Sequence, residues 1–89
     1  MQLPEDTVQD LRVRLRKVDG QVRAIERMLT DGRDCRDVLT QLSAANKALE
    51  QVGFLLVAAG LRRCVEDPEA SATDGYELAD IQRLFLKLA

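Results

Sequence analysis

The sequence predicts an all-α protein, and three observations carry that reading. Apolar residues recur at alternating steps of three and four through two long stretches. No segment alternates with the two-residue period of a strand. The apolar content is mostly Leu, Val and Ala, with no Trp and only 3% aromatics, a mix suited to helix packing. The chain of 89 residues is expected to form one domain, 1–89. A domain this small buries only about two-thirds of the surface its unfolded chain exposes, so its own core is thin.

Three helices are expected, two long and one short. The first follows Val8, Leu11, Leu15, Val18, Val22, Ile25 and Leu29, a heptad-type seam. Pro4 precedes it, and Glu5, Asp6 and Asp10 suit the positive end of a helix dipole. Gly32 punctuates its end. The second follows Cys35, Val38, Leu42, Ala45, Leu49, Val52, Leu56 and Ala59, with Asp34 as the expected N-cap. Pro68 stops it. The stretch EDPEASATDG is expected to be a loop, and Asp74 with Glu77 reads as a capping signal that Gly75 weakens. Leu78, Ile81, Phe85 and Leu88 then mark the short third helix.

A three-helix monomer conflicts with these lengths. A 30-residue helix is about 45 Å long, whereas a compact globule of this size is roughly 30 Å across. Long amphipathic helices with a thin core usually complete it with a partner chain. The cysteines point the same way. Cys35 and Cys64 lie 29 residues apart near the two ends of the second helix. On one straight helix that is roughly 44 Å, with both thiols on nearly the same side. An antiparallel copy from a second subunit would set Cys35 of one chain against Cys64 of the other.

Charge is segregated. Leu11–Arg27 carries Arg12, Arg14, Arg16, Lys17, Arg23 and Arg27 against Asp19 and Glu26. Residues 66–80 carry Glu66, Asp67, Glu69, Asp74, Glu77 and Asp80 and no base. The net charge of −2 therefore conceals a basic stripe able to meet phosphate. The bland alternative is a solvated face tied by Asp19 and Glu26 in i,i+4 pairs. There is no helix-turn-helix spacing, zinc-finger pattern or aromatic stacking platform. An enzyme is not expected. The chain has no His, no Gly-rich phosphate loop, no paired carboxylate cluster and no C-x-x-C. No apolar run approaches a membrane span, and MQLPEDT does not resemble a secretory signal. A cytoplasmic location with reduced thiols is therefore expected.

RLRKVDGQVRAIERML (14–29), CRDVLTQLSAANKAL (35–49) and LRRCV (61–65) resemble the CsoR/RcnR-type family of helical transcriptional repressors. The resemblance covers roughly residues 8–66. It implies a dimer of antiparallel helical hairpins, a four-helix bundle, two of which form a flat homotetramer. It also implies a repressor that binds double-stranded operator DNA and leaves it when an inducer reacts at an intersubunit Cys site. Arg12, Arg14, Arg16 and Lys17 on the first helix and Lys47 on the second are the expected DNA contacts. Gln51 stands where some relatives carry a further base.

Members of this family divide by their sensing site. The copper sensors use Cys, His and Cys, with the His four residues before the second Cys; here that position is Gly60. Cu(I) favours soft thiolates and imidazole, so copper keeps only Cys35 and Cys64 as metal ligands. Nickel and cobalt sensors need several histidines. Formaldehyde sensors use an N-terminal proline; Gln2 stands at the second position, and Pro4 is not equivalent. The remaining branch keeps both thiols without the His and resembles the CstR repressors, which sense persulfides or polysulfides and control sulfide-detoxification genes. Its implied inducer is a low-molecular-weight persulfide, with no resident cofactor. Cys35, in the first turn of its helix, sits where the dipole favours thiolate, and Arg33, Arg36, Arg62 and Arg63 flank the two cysteines. Alternatively Cys35 is a small apolar residue on the seam. Gly60 either makes room for a sulfur adduct or allows close helix packing, as Gly53 does one heptad earlier. A two-cysteine Cu(I) sensor and a non-sensing helical interaction protein remain as alternatives.

Overall fold

The computed structural model describes residues 2–89. It is all-helical, with α1 (Glu5–Thr30), α2 (Cys35–Glu66), α3 (Pro68–Thr73) and α4 (Leu78–Leu88). The two long helices and the C-terminal helix fall where the periodicity sets them. Among the described residues no helix is long and apolar enough to cross a membrane.

The chain packs as two units, each with its own contacts. One is Asp10–Val52, the body of α1 and the first half of α2. These two helices form a hairpin closed by a short turn. α1 ends in a Schellman arrangement: the Arg33 amide donates to the Met28 carbonyl at 2.9 Å and the Gly32 amide to Leu29 at 3.3 Å. Gly32 supplies the φ of +71° that this closure needs. α2 starts as the Asp34 carbonyl accepts from the Asp37 and Val38 amides at 3.0 and 3.2 Å. Among the described residues no amide donates to the Asp34 carboxylate, so Asp34 serves through its backbone.

Only half of each predicted seam is covered. Leu11 and Val18 of α1 and Val38, Ala45 and Val52 of α2 are buried, each step seven residues long. The intervening Leu15, Val22 and Leu29, and Leu42 and Leu49, are exposed. Fully burying one such side chain is worth about 1.5–3 kcal/mol. A hairpin whose second apolar row is about half exposed forgoes about half of that gain.

The second unit joins the residues up to Gln9 with Gly53–Ala89. Here the acidic stretch departs from the loop expected of it. Pro68 does stop α2, but it also opens α3, as the first helical residue after the N-cap Asp67. The Asp67 carboxylate accepts from the Ala70 amide at 3.2 Å. α3 closes with a second Schellman turn: Tyr76 donates to Ser71 O at 2.8 Å and Gly75 to Ala72 O at 2.9 Å, with Gly75 at φ +89°. Asp74 therefore caps the end of α3 rather than the start of α4. Glu77 is the N-cap of α4, and its amide donates to the Asp80 carboxylate at 2.9 Å. Ile81 is the buried anchor of α4, and Phe85 packs on Phe54 with ring centroids 5.5 Å apart.

Candidate functional site

Both cysteines are free thiols. Cys35 is the first residue of α2 and is exposed. Within one chain Cys35 is uncovered, as are Leu42 and Leu49 of the same seam. Arg36 beside it is exposed, while Arg33 is drawn to Asp37 at 3.5 Å.

Cys64 lies near the C-terminal end of α2 and is half-buried in the other unit. Its sulfur is 3.0 Å from Ser71 Oγ and 3.7 Å from the Tyr76 carbonyl oxygen. The Ser71 hydroxyl is 2.6 Å from the same carbonyl. A carbonyl can only accept, so the single Ser71 proton is committed to Tyr76. The Cys64 thiol is then a donor with two acceptors in reach, Ser71 Oγ at 3.0 Å and the Tyr76 carbonyl at 3.7 Å, of which Ser71 is the nearer. Ser71 is 1% exposed, the most enclosed polar side chain of the described residues. Arg63, beside Cys64, reaches Asp74 at 3.5 Å, a second tie from α2 to the end of α3.

Gly60, one turn before Cys64, is buried. It lines an open apolar groove of about 310 Å³ with Gly53, Leu56, Tyr76, Ile81 and Leu84. It therefore brings neither a metal ligand nor bulk to this face. Among the described residues no three His, Cys, Asp or Glu side chains gather as a metal would require.

The basic residues divide by whether an acid holds them. Arg14 Nε is 3.0 Å from Asp10, and Arg23 is 3.1 Å from Asp19. Of the pairs expected on a solvated face, the one through Asp19 forms, while Arg14 is held by Asp10 instead. Among the described residues Arg12, Arg16 and Lys17 have no carboxylate partner and are exposed. Lys47 is also exposed and borders a shallow depression on α2 with Arg36, Thr40 and Ser43.

Sequence reasoning missed Ser71 and Tyr76. Their contact with Cys64 runs across the break at Pro68, where no helical period links the three. The one available signal was Asp67–Pro68, an N-cap followed by proline, which announces α3.

A family model described as metal-sensitive transcriptional repressor matches residues 7–87. The chain is 45% identical over 64 residues to the copper-sensing transcriptional repressor RicR of Mycobacterium tuberculosis, covering 72% of this chain and 67% of that protein. It is 32% identical over 74 residues to the copper-sensing transcriptional repressor CsoR of Bacillus subtilis, covering 83% and 73%. Among solved structures it resembles the nickel-responsive transcriptional regulator InrS, with a TM-score of 0.77, 27% identity and 91% of each chain covered. It also resembles the copper-sensing repressor CsoR with Cu(I) from Geobacillus thermodenitrificans, with a TM-score of 0.70, 28% identity, and 99% of this chain and 84% of that one covered. With a match across nearly its whole length, and the two thiols and basic α1 described above, the chain belongs to the CsoR/RcnR family of metal-sensitive transcriptional repressors.

Proposed function

We propose that this repressor senses persulfides or polysulfides through Cys35 and Cys64, and that residues 1–89 act as one DNA-binding and sensing domain. The observation that carries this reading is the absence of any imidazole, with buried Gly60 one turn before Cys64. Two free thiols remain as nucleophiles able to take up sulfane sulfur.

The chemistry needs two subunits. The Cys35 thiolate attacks a sulfur of an inorganic polysulfide, an S–S bond breaks, and the shortened polysulfide leaves, giving Cys35–S–SH. The Cys64 thiol of another chain then attacks the inner sulfur, forming a Cys35–Cys64 disulfide and releasing H₂S. If both thiols are first persulfidated, loss of H₂S joins them as a trisulfide. Cys35 is the attacking thiol because it is exposed at the first residue of α2, where a polysulfide from solvent can reach it. The exposed rows Leu15–Val22–Leu29 and Leu42–Leu49 support an oligomer that covers them, a homotetramer of antiparallel dimers. Arg12, Arg16 and Lys17, with Arg14 and Lys47, would meet operator phosphates in the cytoplasm while the thiols are reduced.

The second reading is a Cu(I) sensor, favoured by the names of the similar repressors. The residues here fit that ion incompletely, because Gly60 offers no third donor. Gel-shift titration with operator DNA before and after sodium tetrasulfide, in parallel with Cu(I), tests the choice. Release by tetrasulfide and retention with Cu(I) is expected. Release by Cu(I) with no sulfur adduct after tetrasulfide would overturn the persulfide reading.

A further inference from the structure

Ser71 holds both backbone groups of Tyr76. Its carbonyl accepts the Tyr76 amide at 2.8 Å, and its hydroxyl donates to the Tyr76 carbonyl at 2.6 Å. Tyr76 is the joint between α3 and α4, one residue before the N-cap Glu77. The same hydroxyl oxygen takes the Cys64 thiol at 3.0 Å. The orientation of α4 is thus tied to a sulfur through one enclosed oxygen.

We propose that Ser71 is a positioning residue that relays the state of the Cys64 sulfur to the α3–α4 joint. With Cys64 as a thiol, protons run in one direction, from sulfur to Ser71 Oγ and from Ser71 to the Tyr76 carbonyl. Once the thiol proton leaves to solvent and the sulfur carries a negative charge, another sulfur or a metal ion, that sulfur can only accept. The Ser71 proton then has two competing acceptors. When it turns to the sulfur, the Tyr76 carbonyl loses its partner inside a half-buried site, and the joint loosens. The device serves any inducer that removes the thiol proton. It rests on Cys64 being a sensing thiol, but not on whether sulfur or copper is sensed.

The test needs no inducer and uses the full reduced chain. Amide hydrogen exchange over residues 74–77 is compared in the parent, Cys64→Ala and Cys64→Asp. Aspartate, which can only accept, should draw the Ser71 proton and speed exchange there about fivefold, the equivalent of one ordinary hydrogen bond. Alanine, which offers no competing acceptor, should leave exchange near the parent rate. A second measurement follows the infrared S–H stretch of the single thiol left in Cys35→Ala. Adding Ser71→Ala should move that band to higher frequency, as for a thiol that has lost its acceptor. If Cys64→Asp exchanges as slowly as the parent, if Cys64→Ala exchanges as fast as Cys64→Asp, or if the band stays in place, the relay does not exist. If Ser71→Ala does not fold, the alanine–aspartate pair at Cys64 decides alone. Failure here would leave the inducer question untouched, because no persulfide or copper enters the experiment.

Discussion

Leu88 closes over Gly53 so tightly that a Cβ on Gly53 would stand 2.6 Å from Leu88 Cδ2. α4 therefore meets α2 at a backbone position without a side chain. Gly53→Ala has two opposing effects. Alanine improves the helix by about 1 kcal/mol. Turning the half-exposed Leu88 aside costs about 0.5–1.5 kcal/mol. Urea denaturation is expected to show a net change within about 1 kcal/mol, with faster amide exchange in the last turn of α4. A much larger loss would mean that the helix itself, and not the leucine tip, has to move.

The start of α4 should respond to acid. Asp80 accepts the Glu77 amide and pairs with Arg83, and both hold its carboxyl below the ordinary aspartate range. A carboxylate lowered in the folded state contributes stability that is whole above the unfolded value. That contribution fades as pH falls through the lower folded value. Helicity of α4, followed by carbonyl chemical shifts, is expected to decline below about pH 4. Asp80→Asn should lose that acid-dependent part. An unchanged acid transition in Asp80→Asn would assign it to another carboxylate.

Ion pairing ranks the basic residues of α1. Arg16→Ala removes a cation free to meet phosphate, so operator affinity should fall and the salt slope should shrink by about one ion. Arg14→Ala should also weaken binding, but Arg14 must first leave Asp10, 3.0 Å away. Asp10→Asn frees it and is expected to tighten binding several-fold at low salt. Fluorescence anisotropy across a salt series checks all three variants. Parent-like binding by both arginine variants would place the DNA surface elsewhere.

The period of the sequence was enough to find α1, α2, α4 and the residues Leu11, Val18, Val38, Ala45, Val52 and Ile81 that are buried. It could not say that Leu15, Val22 and Leu42 would be left uncovered. Both rows share one seam, and the period of a single chain does not say which of them the hairpin itself covers. The two cysteines stood out by type and spacing. Ser71 did not, because its role depends on α3 folding back beyond Pro68, and a serine in an acidic stretch reads as loop. α3 itself was hidden by the same composition, although Asp67 and Pro68 together form a sound helix start.

The uncovered rows make a direct claim about assembly. Leu42 and Leu49 are both half-exposed on α2. Leu42→Glu puts a charge where the antiparallel dimer would bury a methyl cluster. Light scattering should show the parent well above the 10.0 kDa of one chain and the variant shifted toward it. Circular dichroism should show how much helix survives. A parent that is monomeric at micromolar concentration would remove both the dimer and the intersubunit thiol site.

The inducer prediction follows from what each reagent can transfer. Tetrasulfide should donate sulfane sulfur to Cys35, and Cys64 of another subunit should then close the bridge. Intact mass spectrometry should show covalent dimers, some with one sulfur more than a plain disulfide. Dithiothreitol should reverse them, and Cys35→Ala should lack them. Hydrogen peroxide carries no transferable sulfur, so it is expected to release DNA less well at equal concentration. Cys64→Ala should still accept sulfur at Cys35, where the added mass remains on the monomer, but should form no bridge between the two cysteines. That variant separates attack from closure, since a resolving thiol is dispensable for the first step and required for the second. Cu(I) predicts the opposite pattern: one ion per subunit held against a strong chelator, no crosslink, and release of DNA. A crosslink that forms equally well in Cys35→Ala would reverse the roles assigned to the two thiols, because Cys64 would then be the residue that attacks.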